Sequence, residues 1–477
     1  MASQVVQRAN NASNLYATIK SRGSNTGPAG CGYIYASEVN QCPCYRHKVK
    51  VTPQNSPGFD RTVRFELPNY GFLEHVFLES LFGATNTDVD GTDLTHDNVL
   101  GWASGAFVFS EARLVFRGQE VARVTSDYIM TRHLIDLSQE RLDVFLSAVG
   151  GLPVGSVTNI GGATTRAGRY KLAQADQRFY CPLSFWFAET RSRALDLSIL
   201  HSPLTLEVDV VPVSKISTKQ ASGIDFPLKE MALQCYLAEL PAPELKMFRD
   251  VSYKPGGEPL SQLGYDILTA THNVDCSSSQ THRLKLNDFS GLVQRLYIFA
   301  VLSADRSAGK NLKYIPDIKT LRLLSVDTEI YERENMGFQV VNGRHKKVSG
   351  ANPPGLSDDT DVTNEEVMTG ERLMDFYLQP SKSLQDQYVE FDYDVGAGSR
   401  VIPAAVQVIN FKSDWDQRTS ATGSLSFGTL HNPTLEIEFG SGVTNSSIDV
   451  IVIAELNNVI VYSTNSAGAT SIRRITE

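Results

Sequence analysis

The chain has 477 residues, of which 42% are hydrophobic and 20% charged, and a formal net charge of −9. That length exceeds one ordinary core and fits two domains of about 200 residues each, and the composition excludes the disordered and fibrous classes. An acidic body repels a polyanion, so direct genome binding is not expected of its bulk.

The charge is uneven. Residues 1–50 hold Arg8, Lys20, Arg22, Arg46, Lys48 and Lys50 against Glu38 alone, a balance of +5 that leaves −14 on the remainder. Up to Glu38 the segment is rich in Asn, Ser and Gly, without a periodic apolar pattern. Alone it cannot offset an ordering entropy of roughly 1–2 kcal/mol per residue. Residues 1–45 are therefore expected to form an arm that seeks an acidic partner. The opening MASQVVQRANNASNLY has no apolar core, so no secretory leader is expected and the chain reads as soluble and made in the cytoplasm. Six scattered cysteines suit free thiols in a reducing compartment. Cys31, Cys42, Cys44 and His47 cluster, but their CxC lacks the usual zinc CxxC spacing, and no metal is assigned there.

Further along, TVRFEL (62–67) alternates, with Val63, Phe65 and Leu67 on one side. Asn86, Asp88, Asp90, Gly91 and Asp97 fall at positions 1, 3, 5, 6 and 12 of an EF-hand-like loop. Strand-like residues precede them and glutamate is normal at the last position, so the segment reads as an acidic surface loop. A short helix is predicted from Ser126-Asp127 through Leu134. A second is predicted after Ser138, with Leu142, Phe145, Leu146 and Val149 at helical spacing and Gly150-Gly151 as its end. TLEVDV (205–210) alternates cleanly, and MALQCYLAEL (231–240) reads as a closing strand. Pro241-Ala242-Pro243 then marks a boundary, so the domains are expected at 46–243 and 244–477, with ELKMFRD (244–250) as a connector.

In the second part, LVQRLYIFAVL (292–302) and VIVIA (450–454) are apolar on both faces. Such strands belong in the middle of a sandwich or at a subunit contact. YVEFDYD (388–394) and LEIEF (435–439) alternate like half-buried antiparallel strands. The apolar stretch Ile448–Tyr462 is interrupted by Asp449, Glu455, Asn457 and Asn458 and is far short of a membrane span. Residues 110–124 and 318–333 echo each other as strand, polar turn and acidic residue, which suggests one architecture used twice. The polar stretches 150–168 and 349–367 are expected to face outward.

Several segments together resemble, in order, the double jelly-roll major capsid proteins of nucleocytoplasmic large DNA viruses. They are RFELPNYGFLEHVFLESLFG (64–83), ARLVFRGQEVARVTSDYIMTRHL (112–134) and RFYCPLSFWFAETRSRALDLSILHSPLTLEVDV (178–210), then HRLKLNDFSGLVQRLYIFAVL (282–302), LRLLSVDTEIYERENMGFQVV (321–341) and IDVIVIAELNNVIVYSTNSAG (448–468). The most specific is CPLSFWF with its leucine-rich continuation, where Pro182, Phe185, Trp186, Phe187, Ala194, Leu195, Leu197 and Leu200 match; Ser184 replaces a proline. FYCPLSFWF is expected to be an aromatic strand filling the space between two sheets.

The resemblance implies an all-β chain of two tandem eight-stranded antiparallel jelly rolls with short helices inserted in loops. It implies a structural tile that forms homotrimeric, pseudo-hexagonal capsomers of an icosahedral shell. Its partners would be other copies of itself and minor capsid or penton proteins, with the arm on the inner side of the shell, against neighbouring capsomers, minor proteins or an inner membrane. The location implied is the virion, after assembly in host cytoplasm. No catalytic, cofactor-binding or metal residue is assigned.

Two other classes compete with this reading. A carbohydrate-active jelly-roll enzyme would need facing carboxylates; Glu390, Asp392 and Asp394 share a strand face, which reads instead as a solvent face. The chain has no cupin-like histidine pair, HExxH, GxSxG or phosphate loop. A minor capsid or receptor-binding spike protein would suit the sequons at Asn11 and Asn445, but no leader sends them to a glycosylating compartment.

Overall fold

The computed structural model describes residues 45–83, 103–137, 139–150, 176–189, 193–216, 227–242, 245–246, 260–277, 279–307, 318–326, 328–333, 338–341, 344–347, 391–394, 399–401, 406–412, 423–439, 447–465 and 470–475. Residues 1–44 of the expected arm, the Asn86–Asp97 loop, Cys31, Cys42, Cys44, Glu390, Asn11, Asn445 and the polar stretches 151–168 and 349–367 lie outside these residues.

Alternation of apolar and polar side chains builds the first half. Its strands are β1 (Tyr45–Val51), β2 (Arg61–Glu66), β3 (Phe72–Phe82), β4 (Phe109–Phe116), β5 (Gln119–Thr125), β6 (Gln177–Pro182), β7 (Leu195–Asp196), β8 (Thr205–Val210) and β9 (Leu228–Glu239). They form two antiparallel sheets, in the orders β1-β9-β3-β6 and β2-β8-β4-β5, with β7 beside the start of β3. Val63, Phe65, Leu114, Leu206 and Val208 of one sheet and Leu73, Val76, Leu78, Leu233 and Cys235 of the other are buried in one core. Period two puts these residues on one face, and each such burial contributes about 1.5–3 kcal/mol for the large apolar side chains.

The second half comprises β10 (Leu260–Asp275), β11 (Thr281–Lys285), β12 (Leu292–Leu302), β13 (Ile318–Ser325), β14 (Thr328–Arg333), β15 (Phe338–Val341), β16 (Arg344–Lys347), β17 (Phe391–Asp394), β18 (Ser399–Val401), β19 (Gln407–Asn410), β20 (Leu425–Ser426), β21 (Pro433–Phe439), β22 (Ser447–Thr464) and β23 (Thr470–Ile475). Its sheets run β10-β22-β12-β19 and β11-β21-β13-β14; β15-β16 and β17-β18 are separate pairs, and β23 adds to β22.

The two halves repeat each other strand for strand, each as an eight-stranded jelly roll. Even the irregularities coincide. The β3–β9 ladder shifts register between Leu73 and His75, and the β12–β22 ladder shifts between Val293 and Arg295. Short β7 pairs with the opening of β3 just as β20 pairs with the opening of β12. The echo at 110–124 and 318–333 is the β4–β5 hairpin and its counterpart β13–β14. The first turns through Arg117 and Gly118, both at positive φ (51° and 79°), as a two-residue hairpin of right-handed twist requires.

Both predicted helices form, as α1 (Ser126–Asp136) and α2 (Gln139–Val149). Thr125 caps α1, its Oγ1 accepting the Tyr128 N–H at 3.3 Å. Gly150, at φ +86°, follows α2.

Two expectations need correction. The aromatic run is not one strand between two sheets: β6 ends at Pro182, and Trp186–Ala188 form a 3₁₀ turn. Trp186 Nε1 donates to Gln262 Oε1 at 3.4 Å, so the run ends against the second half. The basic charge assigned to the arm is also shared differently. Arg46, Lys48 and Lys50 lie on β1, inside the first sheet, and Arg46 pairs with Glu74 at 2.9 Å. Only Arg8, Lys20 and Arg22 against Glu38 precede that strand, a balance of +2.

Candidate functional site: the ionic seam between the jelly rolls

The strands that are apolar on both faces stand between two cores. From β12 and β22, Ile298, Ala300, Val450, Val452 and Ala454 face the second half's own core. Tyr297, Phe299, Val301, Ile451 and Ile453 instead join the core of the first half. The excess apolar surface is thus consumed within the chain, and it gives no sign of a subunit contact.

At the middle of this seam the apolar surface gives way to charge. Tyr128, Arg132 and Asp136 repeat at every fourth position of α1 and so share one face. Arg132 pairs with Glu189 at 2.6 Å and donates to Tyr265 Oη at 2.9 Å and Tyr128 Oη at 3.1 Å. Its guanidinium also lies over the Tyr128 and Tyr265 rings, 5.6 and 5.3 Å from their centroids. From the second half, Arg295 donates to Asp136 at 3.3 Å and to Tyr297 at 3.2 Å. Glu455 accepts from Tyr128 at 3.0 Å, from Tyr297 at 3.3 Å and from Lys412 at 3.4 Å. Tyr265 also reaches the Ser184 carbonyl, at the position where the family pattern has proline.

Arg132, Arg295 and Lys412 therefore face Asp136, Glu189 and Glu455, all with side chains under 10% exposed, and buried Arg193 lines the same gap. Burial alone would raise the Glu455 carboxyl, but Arg295, Lys412 and Arg132 outweigh it and hold it below the usual carboxylate range. Burial pushes the Lys412 amine down and the Tyr297 phenol up. The gap left among these groups is 20 Å³, room for about one water and for no substrate. The cluster ties α1 and Glu189 of the first half to Arg295, Lys412 and Glu455 of the second.

A larger cleft of 690 Å³ lies beside the sheet β2-β8-β4-β5, lined in part by Thr269, Thr271 and Arg306 of the second half. Two ion pairs lie within it, Arg113 with Asp209 at 2.9 Å and Arg306 with Asp127 at 2.9 Å. Among the described residues no three His, Cys, Asp or Glu side chains stand close enough to share a metal ion, and no helix is long and apolar enough to cross a membrane.

Of the residues weighed from sequence, His47 lies on β1, stacked between Tyr45 and Tyr70 at 5.3 and 6.0 Å and 3.5 Å from Glu239. Asp392 and Asp394 lie on β17, paired with β18. Cys181, Cys235 and Cys276 are free thiols, and burial pushes that of Cys235 up to about 12. The seam residues were not singled out from sequence. The available signal was a charge inside a strand apolar on both faces, as at Arg295 in LVQRLYIFAVL and Glu455 in VIVIAELNN.

No family model matches the chain, and no curated protein matches it in sequence. Solved structures do match. PBCV-1 VP54, fitted into a cryo-EM reconstruction of the virophage Sputnik, superposes with a TM-score of 0.59 over 92% of this chain and 98% of that one, at 13% identity. The quasi-atomic model of the PBCV-1 virus capsid gives 0.60 over 92% and 98%, at 12% identity. The Faustovirus major capsid protein gives 0.60 over 96% and 98%, at 10% identity. At such identities what is shared is the fold, two jelly rolls in tandem.

Proposed function

We propose that the chain is a major capsid protein, a structural tile rather than an enzyme. The observation that carries this reading is near end-to-end coverage, 96% of this chain and 98% of the Faustovirus major capsid protein, which takes in both jelly rolls and the seam between them. The seam supports it from within, since a tile needs two lobes held at a fixed angle. Two equivalent lobes per chain make three copies a ring of six similar lobes, an outline that tiles a curved shell with few kinds of contact. On this reading the lobes are 46–243 and 244–477, and the trimer is the capsomer of an icosahedral virion assembled in the host cytoplasm. Minor capsid or penton proteins are its further partners, and residues 1–45 lie toward the shell interior. With a balance of only +2, the arm's attraction to an acidic partner is weaker than its composition through residue 50 suggested.

The test is size and shape. Protein taken from particles, or co-expressed with the other capsid components, should have three times the 52.5 kDa chain mass by light scattering. Negative-stain images should show a pseudo-hexagonal outline, and the chain should be the dominant band of purified particles. A monomer under assembly conditions, or a trace band, would overturn the reading.

A further inference from the structure

The 690 Å³ cleft gathers the starts of β2 and β4, the ends of β5 and β8 and the opening of α1 from the first half, and Thr269, Thr271 and Arg306 from the second. Side chains of a strand alternate between its faces, so Tyr265, Ile267, Thr269 and Thr271 form one row of β10. Tyr265 and Ile267 are buried against the first half, while Thr269 and Thr271 stand exposed. The row turns from apolar to hydroxyl where the two halves part and the cleft opens.

The lining carries groups that the fold leaves unused. Ser126 is 6% exposed, yet its hydroxyl makes no hydrogen bond to a described residue, and neither do those of Thr269 and Thr271. Arg113 binds Asp209 through Nη2, but its Nε is buried without a partner. Buried polar groups are normally satisfied, so these call for an occupant. The 690 Å³ volume lies within the range of small-molecule sites, roughly 300–1,000 Å³. Four cations (Arg61, Arg113, Lys215, Arg306) are matched by four carboxylates (Asp60, Glu111, Asp127, Asp209), so no net charge selects an anion or a cation. Phe107 and Val210 are nearly covered, and polar atoms make up the larger part of the accessible wall, which suits neither a lipid nor the apolar anchor of a peptide. Donors and acceptors stand side by side, and each hydroxyl of a sugar is both at once.

We propose that this cleft binds a neutral carbohydrate, a short oligosaccharide held between the two halves. Its hydroxyls donate to Asp209 and Glu111 and accept from Ser126, Thr269, Thr271 and the Arg113 Nε–H. Because both halves supply the lining, an occupant adds a further tie between them, and a ligand bound only by the folded chain raises its stability. The same chemistry serves a glycan carried by the assembled particle and one on an outside surface. The site rests on the cleft alone and stands apart from the capsid reading.

The probes are neutral trisaccharides of mannose, glucose, galactose and N-acetylglucosamine, with a heparin disaccharide and a pool of unstructured peptides as competing classes. Saturation-transfer NMR on the full chain should show transfer to at least one neutral trisaccharide, and the same sugar should raise Tm. Thr271→Trp, which fills the cleft from an exposed strand position, should abolish the transfer. Ser126→Ala should weaken binding about fivefold, the loss of one hydrogen bond. Val144→Trp, at a residue 70% exposed on α2, should bind like wild type. Equal binding by the recombinant chain and by protein taken from particles assigns the glycan to an outside surface. Binding by particle-derived protein only after deglycosylation assigns it to the particle. No transfer to any neutral trisaccharide at millimolar concentration, or transfer only to the heparin disaccharide or the peptides, overturns the proposal. So do folded Thr271→Trp and Ser126→Ala proteins that both bind like wild type.

Discussion

Replacing Glu455 by Gln removes one charge from the seam and little volume. Two tyrosine hydroxyls and the Lys412 ammonium lose an anionic acceptor, and Arg132, Arg295 and Lys412 are left with Asp136 and Glu189. Breaking one member of a buried ionic network costs roughly 3–5 kcal/mol, because the partners stay buried without compensation. For domains of about 200 residues, 1 kcal/mol corresponds to roughly 2–4 °C in Tm, so a fall of about 6–12 °C is expected at the low end of that cost. The control is Glu438→Gln, whose partner Lys319 is 60% exposed at 2.6 Å; an exposed pair is worth at most about 1 kcal/mol. Calorimetry on both variants and on the Glu455→Gln/Lys412→Met double variant measures the coupling. The pH dependence follows from a carboxyl held below its ordinary range. Its contribution is fully present above the unfolded pKa and is lost as pH falls through the folded one. The gap between wild type and Glu455→Gln should therefore be constant around neutrality and shrink only in acid below the usual carboxylate range. A Glu455→Gln protein as stable as wild type at pH 7, or a gap that closes between pH 6 and 8, would refute the ionic account of the seam.

Other perturbations reach the packing directly. Trp186→Ala, which empties a fully buried site at the seam, should cost about 3–5 kcal/mol in denaturant unfolding. Gly105→Ala would place its Cβ 2.4 Å from Phe179 Cβ and 3.0 Å from the Val149 carbonyl, and overpacking of that kind should cost about 1–3 kcal/mol. Mass-mapped alkylation of the native protein at pH 8 should leave Cys181 and Cys235 unlabelled until denaturant is added, because burial raises both thiols and hides them.

Strands were legible wherever one face meets water. TLEVDV is β8 to the residue, because a period of two with one wet face admits few other readings. LVQRLYIFAVL was equally legible as a strand, but sequence could not name the body against its second face. Periodicity reports burial, and a lobe of the same chain buries a residue as well as a neighbouring copy does. The 3₁₀ turn at Trp186 was missed for a related reason: an aromatic run after a strand looks like more strand. The ionic cluster was the least legible part. Its charges come from five separate segments, and each alone looks like an interruption in an apolar run.

Strand β22 (447–464) lies between β10 and β12 and supplies both the second core and part of the surface that covers the first half. On the ribosome, β9 completes the sheets of the first jelly roll once residue 239 has emerged, while β22 follows only after residue 447. At 5–20 residues per second the interval is roughly ten to forty seconds. For that time Tyr128 of the newborn first lobe is without its β22 partner Glu455. Yield should therefore respond to translation speed downstream of residue 239.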